Sequence, residues 1–212
     1  MVQSCAAAPS WKNLQKMKAK GFWGDSRIAH FLFRVIALVM ESPLRRRFFD
    51  PINTLKASGI QSGQKVLEVG CGTGFFTIPA AMLVGDKGRV YAIDPHPLAI
   101  EQVARKLQAA DRDNVRLIKT DATVLGLVSG TMDLVLLFGV IPSPTLPLHR
   151  LLPELHRVLK QEGGLAVWTA LPWWSPVSLT RNGLFTYTGG KSGVHTFRRE
   201  AEKQGGQIHE GG

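Results

Sequence analysis

The stretch VLEVGCGTGFFTIP, residues 66–79, places three glycines within five residues directly behind an apolar run that contains a carboxylate. Glycine loses more conformational freedom on folding than any other residue, so this spacing indicates a turn whose backbone is approached closely. A dinucleotide fingerprint has glycines at its first, third and sixth positions, whereas Phe75 stands at the sixth position here. The stretch also lacks the Lys and Ser/Thr of a nucleotide P-loop, so it gives little support to phosphate binding.

Strand-like and helix-like segments alternate around this stretch. Apolar runs typical of buried strands are residues 65–69, 89–94, 115–121, 132–139 and 164–170; helical patterns occupy 75–84, 97–110 and 147–160, the last interrupted or started late by Pro153. This alternation predicts an α/β fold, a doubly wound and mostly parallel sheet with helices on both faces. Two alternating segments around a glycine-rich turn in residues 183–200 predict an antiparallel hairpin at the C-terminal end.

The domain organisation follows from these patterns. We expect one domain at 50–200, preceded by a basic N-terminal helical extension at 1–49 and followed by a disordered tail at 201–212. Two cysteines without CxxC spacing predict a reducing compartment and no structural zinc or other metal site. The first residues lack the apolar core of a signal peptide, so a cytoplasmic location is expected.

The positive charge of the chain is concentrated in its N-terminal part. Residues 1–60 hold 10 Lys/Arg against 3 Asp/Glu, whereas residues 61–212 hold 16 against 13. A basic segment can meet nucleic acid, an anionic membrane surface or an acidic partner, or it can simply be a solvated leader.

Residues 27–42 within this part have a helical pattern that is apolar around most of its circumference. The apolar stretch is shorter than the roughly 20 residues that a bilayer span requires, and it contains His30 and Arg34. Three alternatives remain open: a lid over the main domain, a helix in a membrane interface beside Arg45, Arg46 and Arg47, or simple packing.

Taken in order, these motifs resemble those of class I S-adenosylmethionine-dependent methyltransferases, whose first motif is an acidic residue followed by Gly-x-Gly-x-Gly. Asp94 closes the second strand 24 residues after Gly70, Asp121 closes the third within KTDAT, and MDLVLLFG is similar to the family's fourth-strand motif. The segment LPELHRVLKQEGGLAVWT is similar to the helix and fifth strand of the family. The resemblance covers residues 50–200 and implies S-adenosylmethionine as cofactor on a Rossmann-like methyltransferase fold.

The resemblance also implies a set of cofactor-binding residues at the strand ends. These are Glu68, Gly70, Cys71, Gly72, Thr73, Gly74, Asp94, Pro95, Asp121, Ala122 and Phe138. A glycine turn before a helix offers amides and a favourable dipole to the cofactor carboxylate, and a buried carboxylate such as Asp94 suits the two ribose hydroxyls. Asp121 and the Ala122 amide would meet the adenine edge, or Asp121 would only cap a strand end. Glu68 would orient the loop or accept from the cofactor amino group through water, or be a satisfied loop carboxylate.

The acceptor and the catalytic residues are less constrained. No general base is identified among the six histidines, and His96 is expected to cap a helix or to be exposed. FGVIPSP stands where methyltransferases acting on amino groups of bases often carry Asn/Asp-Pro-Pro-aromatic, which makes nucleic acid an unfavoured partner, and two cysteines are too few for an arsenite methyltransferase. What remains resembles the branch acting on small lipophilic acceptors such as quinones, lipids or thiols.

Aromatic and aliphatic side chains near the fourth and fifth strands offer an apolar wall for such an acceptor, although they fit a core equally well; they are Phe138, Ile141, Trp173 and Trp174. Two other functions stay open. One is an RNA methyltransferase, which the basic charge would serve, and the other is a cofactor-binding protein without turnover that acts through a partner.

Overall fold

The computed structural model describes residues 49–142, 146–169, 171 and 173–201, together with Phe31, Val35, Leu38 and Ser42. The remainder of the predicted extension at 1–49, including Arg45, Arg46 and Arg47, lies outside the described residues. Residues 202–212 of the predicted tail also lie outside the described residues. The domain boundaries at 49/50 and 200/201 therefore stay predictions.

A seven-stranded sheet forms the centre of the protein. Its strands are β1 (Lys65–Val69), β2 (Arg89–Asp94), β3 (Val115–Lys119), β4 (Met132–Phe138), β5 (Leu159–Trp168), β6 (Phe185–Lys191) and β7 (Val194–Arg199). The spatial order is β3-β2-β1-β4-β5-β7-β6. Strands β1 to β5 pair in parallel, whereas β7 is antiparallel to both β5 and β6. The predicted parallel sheet with a C-terminal antiparallel hairpin is confirmed.

Helices cover both faces of this sheet. They are α1 (Pro51–Ala57), α2 (Thr77–Val84), α3 (Pro97–Ala109), α4 (Leu148–Val158) and the short α5 (Val177–Thr180). Because successive strand residues point to opposite faces, Val66 of β1 packs with the cluster under α1, α2 and α3, while its neighbour Leu67 packs with the cluster under α4 and α5. This is the doubly wound arrangement that the alternating sequence pattern predicts.

Three local features differ from the sequence prediction. Helix α1 was not predicted; Asp50 caps it by accepting hydrogen bonds from the amides of Ile52 and Asn53, with Pro51 at the first turn. Helix α4 continues through Pro153, which removes only the amide that would bond the carbonyl of residue 149. Strand β5 begins at Leu159 rather than residue 164, with a register shift that accommodates residues 160–163.

Phe31, Val35 and Leu38 are helical, in agreement with the helix expected at 27–42. Within the described part of the chain, no helix has both the length and the apolar character needed to cross a bilayer.

Candidate cofactor site

The candidate site lies where the strand order reverses, between β1 and β4. In open parallel sheets, ligands bind in the crevice outside the carboxyl ends of the strands at such a switch point. The glycine loop follows β1 directly and leads into α2, and Asp94 is the last residue of the neighbouring strand β2. The fold therefore brings the glycines and Asp94 to one edge of the sheet.

Backbone hydrogen bonds fix the first part of the glycine loop to β2. The amides of Gly70 and Cys71 both donate to the carbonyl of Ile93, at 2.9 and 3.0 Å. The amide of Gly74 then donates to the Cys71 carbonyl at 2.8 Å, which closes a tight turn. The loop is thus held by the strand beside it, not only by its own turn.

Gly70 and Gly72 are required for different reasons, although both have positive φ values. A Cβ on Gly70 would lie 2.3 Å from Cγ1 of Val140, so a side chain there would force Val140 to move. A Cβ on Gly72, where φ is +51°, would meet no atom within 4 Å. Gly72 thus presents bare backbone to open space at the crevice, which is the arrangement that a closely bound ligand needs.

Asp94 joins the two halves of the site. Its Oδ2 accepts a hydrogen bond from the Gly72 amide at 3.0 Å, and its Oδ1 accepts one from the His96 amide at 2.8 Å. Burial raises the pKa of Asp94 to about 6. The two amide hydrogen bonds act in the opposite direction and lower this pKa. A carboxylate has about four lone-pair positions, so each oxygen can accept one further hydrogen bond.

Glu68 lies beneath the loop, near the end of β1. It is 2% exposed, and its Oε2 accepts a hydrogen bond from the Thr77 hydroxyl at 2.6 Å. Burial raises its pKa to about 8, the Thr77 hydrogen bond lowers it, and the nearby Asp94 raises it further. Glu68 therefore holds the start of α2 against the strand, and its burial favours the protonated form.

Cys71 and Thr73 are buried within the loop. Burial raises the pKa of the Cys71 thiol well above its ordinary value, and the charges of Asp94 and Glu68 act in the same direction, so the thiol is neutral and poorly suited to attack. Thr73 Oγ1 is buried and meets no hydrogen-bond partner among the described residues. A buried hydroxyl without a partner is costly unless a ligand supplies one.

The residues after β2 and β3 flank the crevice. Pro95 is half-buried between Asp94 and His96, whose Nδ1 accepts a hydrogen bond from the Leu98 amide and caps α3 as predicted. Asp121 is exposed, and its Oδ1 accepts hydrogen bonds from the amide and the hydroxyl of Thr123. Ala122 is buried. The adenine contacts carried over to Asp121 and Ala122 stay predictions.

Aromatic side chains cover the carboxyl ends of β4 and β5. Phe138 packs against Phe76 at a centroid distance of 5.0 Å, and Phe76 lies 6.0 Å from Trp168. Phe49 is 4.8 Å from Trp168 and 5.9 Å from Phe76. Phe138 is buried, whereas Trp168 and Phe49 keep part of their surface exposed, so the cluster offers an apolar edge beside the crevice.

The other residues expected in an apolar wall occupy different environments. Ile141 is buried in the core, Trp174 packs partly buried against it, and Trp173 is 78% exposed. Among these four residues, Phe138 is the one whose ring packs in the aromatic cluster, against Phe76.

Three residues with positioning roles were not predicted from the sequence. They are Thr77, which bonds Glu68; Lys106, whose Nζ donates to the Thr73 carbonyl at 2.7 Å; and Phe49. Thr77 stands inside the quoted motif, but Thr is common at helix starts, so its position alone does not predict the hydrogen bond to Glu68. Lys106 is 33 residues from its partner, and no local pattern marks it.

These features fit an adenosyl cofactor with an amino-acid end. The remaining lone pairs of Asp94 match two adjacent hydroxyls. The open space at Gly72 lets a ligand approach the backbone, and the buried Thr73 hydroxyl has no hydrogen-bond partner among the described residues. Among the described residues, no group of three or more His, Cys, Asp and Glu side chains is placed to hold a metal ion.

Comparison with known sequences gives the family. Residues 66–163 match the methyltransferase domain family. The chain is 34% identical over 116 residues to demethylmenaquinone methyltransferase of Geobacillus stearothermophilus, covering 54% of this chain and 48% of that protein. It is 39% identical over 82 residues to the "probable cobalt-precorrin-6B C(15)-methyltransferase (decarboxylating)" of Saccharolobus solfataricus, covering 38% and 41%. The chain therefore spans about half the length, or less, of the curated relatives it matches.

Comparison with solved structures agrees. A SAM-dependent methyltransferase from Aquifex aeolicus superimposes with a TM-score of 0.63 at 26% identity, covering 77% of this chain and 94% of that one. The doubly wound, mostly parallel sheet with its C-terminal hairpin is the fold that the sequence resemblance implies. Residues 66–163 accordingly form a methyltransferase domain of the class I S-adenosylmethionine-dependent type.

Proposed function

We propose that this protein transfers a methyl group from S-adenosylmethionine to a small, lipophilic acceptor of the quinone, lipid or thiol class. The observation that carries the proposal is the aromatic cluster of Phe49, Phe76, Phe138 and Trp168 at the carboxyl ends of β4 and β5, beside the cofactor crevice. An apolar edge at this place favours an acceptor that leaves water on binding. The similarity to a demethylmenaquinone methyltransferase supports the same class.

The residues of the chain divide the work of binding. Asp94 would hold the ribose hydroxyls, and the amides of the glycine loop and of the start of α2 would meet the carboxylate of the methionyl part. Phe76 supplies no side-chain cap to α2, so the first amides of that helix are not satisfied by a capping side chain. Glu68 and Lys106 position the loop through their hydrogen bonds with the Thr77 hydroxyl and the Thr73 carbonyl.

When bound, the cofactor supplies a sulfonium methyl that is already activated. The chain then has to align the acceptor with that methyl and to exclude water, which is the role we assign to the aromatic cluster. An acidic acceptor group such as a thiol requires no general base, since its unperturbed pKa of about 8.5 leaves some thiolate at neutral pH.

Radiolabelled S-adenosylmethionine tests the proposal. The protein is incubated separately with a solvent extract of lipids and quinones, with a demethylated naphthoquinol, and with total RNA. We expect label in the solvent-soluble fraction, and Asp94→Ala, which weakens the cofactor site, should remove it. Label in RNA instead would replace the proposal by the RNA methyltransferase that the basic charge allows. Cofactor binding with no transfer in any fraction would favour a binding protein without turnover.

A further inference from the structure

An exposed apolar stripe lies on the helical residues that precede the domain. Phe31, Val35 and Leu38 are spaced by four and three residues, which places their side chains on one face of a helix. Their side chains are 66%, 47% and 77% exposed. Three large apolar side chains aligned on one helical face and left in water mark a surface that binds something.

The charge of the surrounding sequence indicates what that surface binds. Residues 1–60 carry 10 Lys/Arg against 3 Asp/Glu, and three consecutive arginines follow the stripe at 45–47. An apolar helical face in a strongly basic segment is the combination by which helices lie in the interface of an anionic bilayer, with cations at the headgroups. A second copy of this chain would bring the same positive charge and repel it.

The chain connects this stripe to the crevice edge over a short distance. Ten residues separate Leu38 from Phe49, so their Cα atoms lie at most about 40 Å apart even if the chain between them is extended. Phe49 packs on Trp168 at the carboxyl end of β5. Whatever the stripe binds is therefore held within reach of the side of the domain where the cofactor crevice opens.

We propose that the stripe of Phe31, Val35 and Leu38 docks the protein onto an anionic lipid surface. The apolar side chains enter the boundary between headgroups and acyl chains, and the basic residues of the N-terminal part hold the protein there by attraction to lipid phosphates. The proposal is independent of the proposed function, because docking requires neither the cofactor nor an acceptor.

Vesicle sedimentation of the full chain tests it. The probes are vesicles of phosphatidylcholine alone and of phosphatidylcholine with 30% phosphatidylglycerol, without cofactor. Phe31→Ser/Leu38→Ser removes most of the stripe from positions that are largely exposed, so the domain is expected to fold unchanged. Its matched control is Val124→Ser/Val128→Ser, two exposed apolar residues of the β3–β4 connection.

A second pair of variants tests the charge. Arg45→Ala/Arg46→Ala/Arg47→Ala is compared with Lys87→Ala/Arg89→Ala/Arg116→Ala, which removes the same charge from exposed positions around β2 and β3. Equal net charge in the two triple variants separates local contact with lipid from the long-range field of the protein.

The expected result is binding to the phosphatidylglycerol vesicles that is lost in 1 M salt. The stripe variant should partition at least about tenfold less and the arginine variant roughly 100-fold less, whereas both controls stay within about threefold of the native chain. No binding of the native chain to either vesicle overturns the proposal. Binding that both stripe and control variants retain overturns it as well, and so does a concentration-dependent dimer that only the stripe variant loses.

Discussion

The amide of Gly72 donates a hydrogen bond to Asp94 Oδ2 at 3.0 Å, across the ends of β1 and β2. This contact joins the two parts of the cofactor site that the sequence separates by 22 residues. The amides of Gly72 and His96 each use one lone pair of a different Asp94 oxygen. Both oxygens can therefore accept a further hydrogen bond from a ligand. The consequences for affinity, pH dependence and stability can each be measured.

Asp94→Ala should weaken the binding of S-adenosylhomocysteine by roughly 1.5–3 kcal/mol, because the charged hydrogen bonds that we propose to the ribose hydroxyls would be lost. Isothermal titration calorimetry measures the change. Asp113→Ala is the control, since Asp113 is an exposed aspartate between α3 and β3. An affinity equal to that of the native protein would remove Asp94 from the site.

The affinity for S-adenosylhomocysteine should fall as the pH is lowered from 7 to 5. In the proposed site the ribose hydroxyls would donate to the ionised form of Asp94. Burial raises the pKa of Asp94 to about 6, so acid would remove this acceptor. The dissociation constant is expected to rise roughly tenfold at pH 5. Asp94→Asn cannot titrate and should flatten the profile. A native profile that is flat over this range contradicts the assignment.

Glu68→Gln should gain stability relative to the native protein as the pH rises from 5 to 8.5. The pKa of Glu68 is about 8 in the folded protein and 4.5 ordinarily, so between these values the folded state holds a proton that the unfolded chain releases. Native stability from this group is therefore largest below pH 4.5 and is lost as the pH rises to 8. Glutamine does not titrate, and its amide oxygen can still accept from Thr77.

Urea unfolding without cofactor at both pH values measures this difference. The gap between the two proteins should change by roughly 2–4 kcal/mol across the range. Glu162→Gln, at an exposed carboxylate in β5, should show no such trend. A gap that is constant with pH would show that Glu68 is ionised throughout.

The parts of the site that could be predicted are those fixed by strand ends. Parallel strands end at one edge, so an acidic residue closing β2 and glycines following β1 must lie close together once the strand assignment is right. The alternation of apolar runs was sufficient for that, and the seven-stranded sheet with its hairpin followed from it.

The contacts that could not be predicted depend on side chains that meet across the layers. Lys106 reaches the Thr73 carbonyl from the far end of α3, a contact set by how that helix packs rather than by any motif. Helix α1 has only seven residues, too few for a helical period, although Asp50 followed by proline is a start signal. The extension of β5 to Leu159 passes through polar residues and two glycines that resemble a turn.

Gly70→Ala should be more destabilising than Gly59→Ala, although both positions have positive φ, +75° and +81°. Each substitution costs about 1–2 kcal/mol for the backbone conformation. Only at Gly70 does the new methyl meet a neighbour, Cγ1 of Val140 at 2.3 Å, which should add about 1–3 kcal/mol. Urea unfolding compares the two. Adding Val140→Ala to Gly70→Ala should recover most of the extra stability that Gly70→Ala loses relative to Gly59→Ala. If the costs of Gly70→Ala and Val140→Ala are simply additive in the double variant, the clash is contradicted.

Phe49 joins the aromatic cluster to the chain that precedes the domain. Its ring lies 4.8 Å from Trp168 and 5.8 Å from Phe75, so Phe49→Ala should cost about 1–3 kcal/mol of stability. Affinity for S-adenosylhomocysteine should stay within about threefold of native, because the groups assigned to the cofactor, Asp94 and Gly72, are untouched.

Transfer of label to a lipophilic acceptor should nevertheless fall at least about tenfold in Phe49→Ala, since this substitution opens the apolar edge that we propose binds the acceptor and excludes water. Phe49→Leu, which keeps an apolar side chain there, should recover most of the transfer, and Val124→Ala, at an exposed position, should change nothing. If Phe49→Ala is destabilised but transfers label at the native rate, the contact between Phe49 and Trp168 contributes packing alone, and the acceptor binds elsewhere along the crevice.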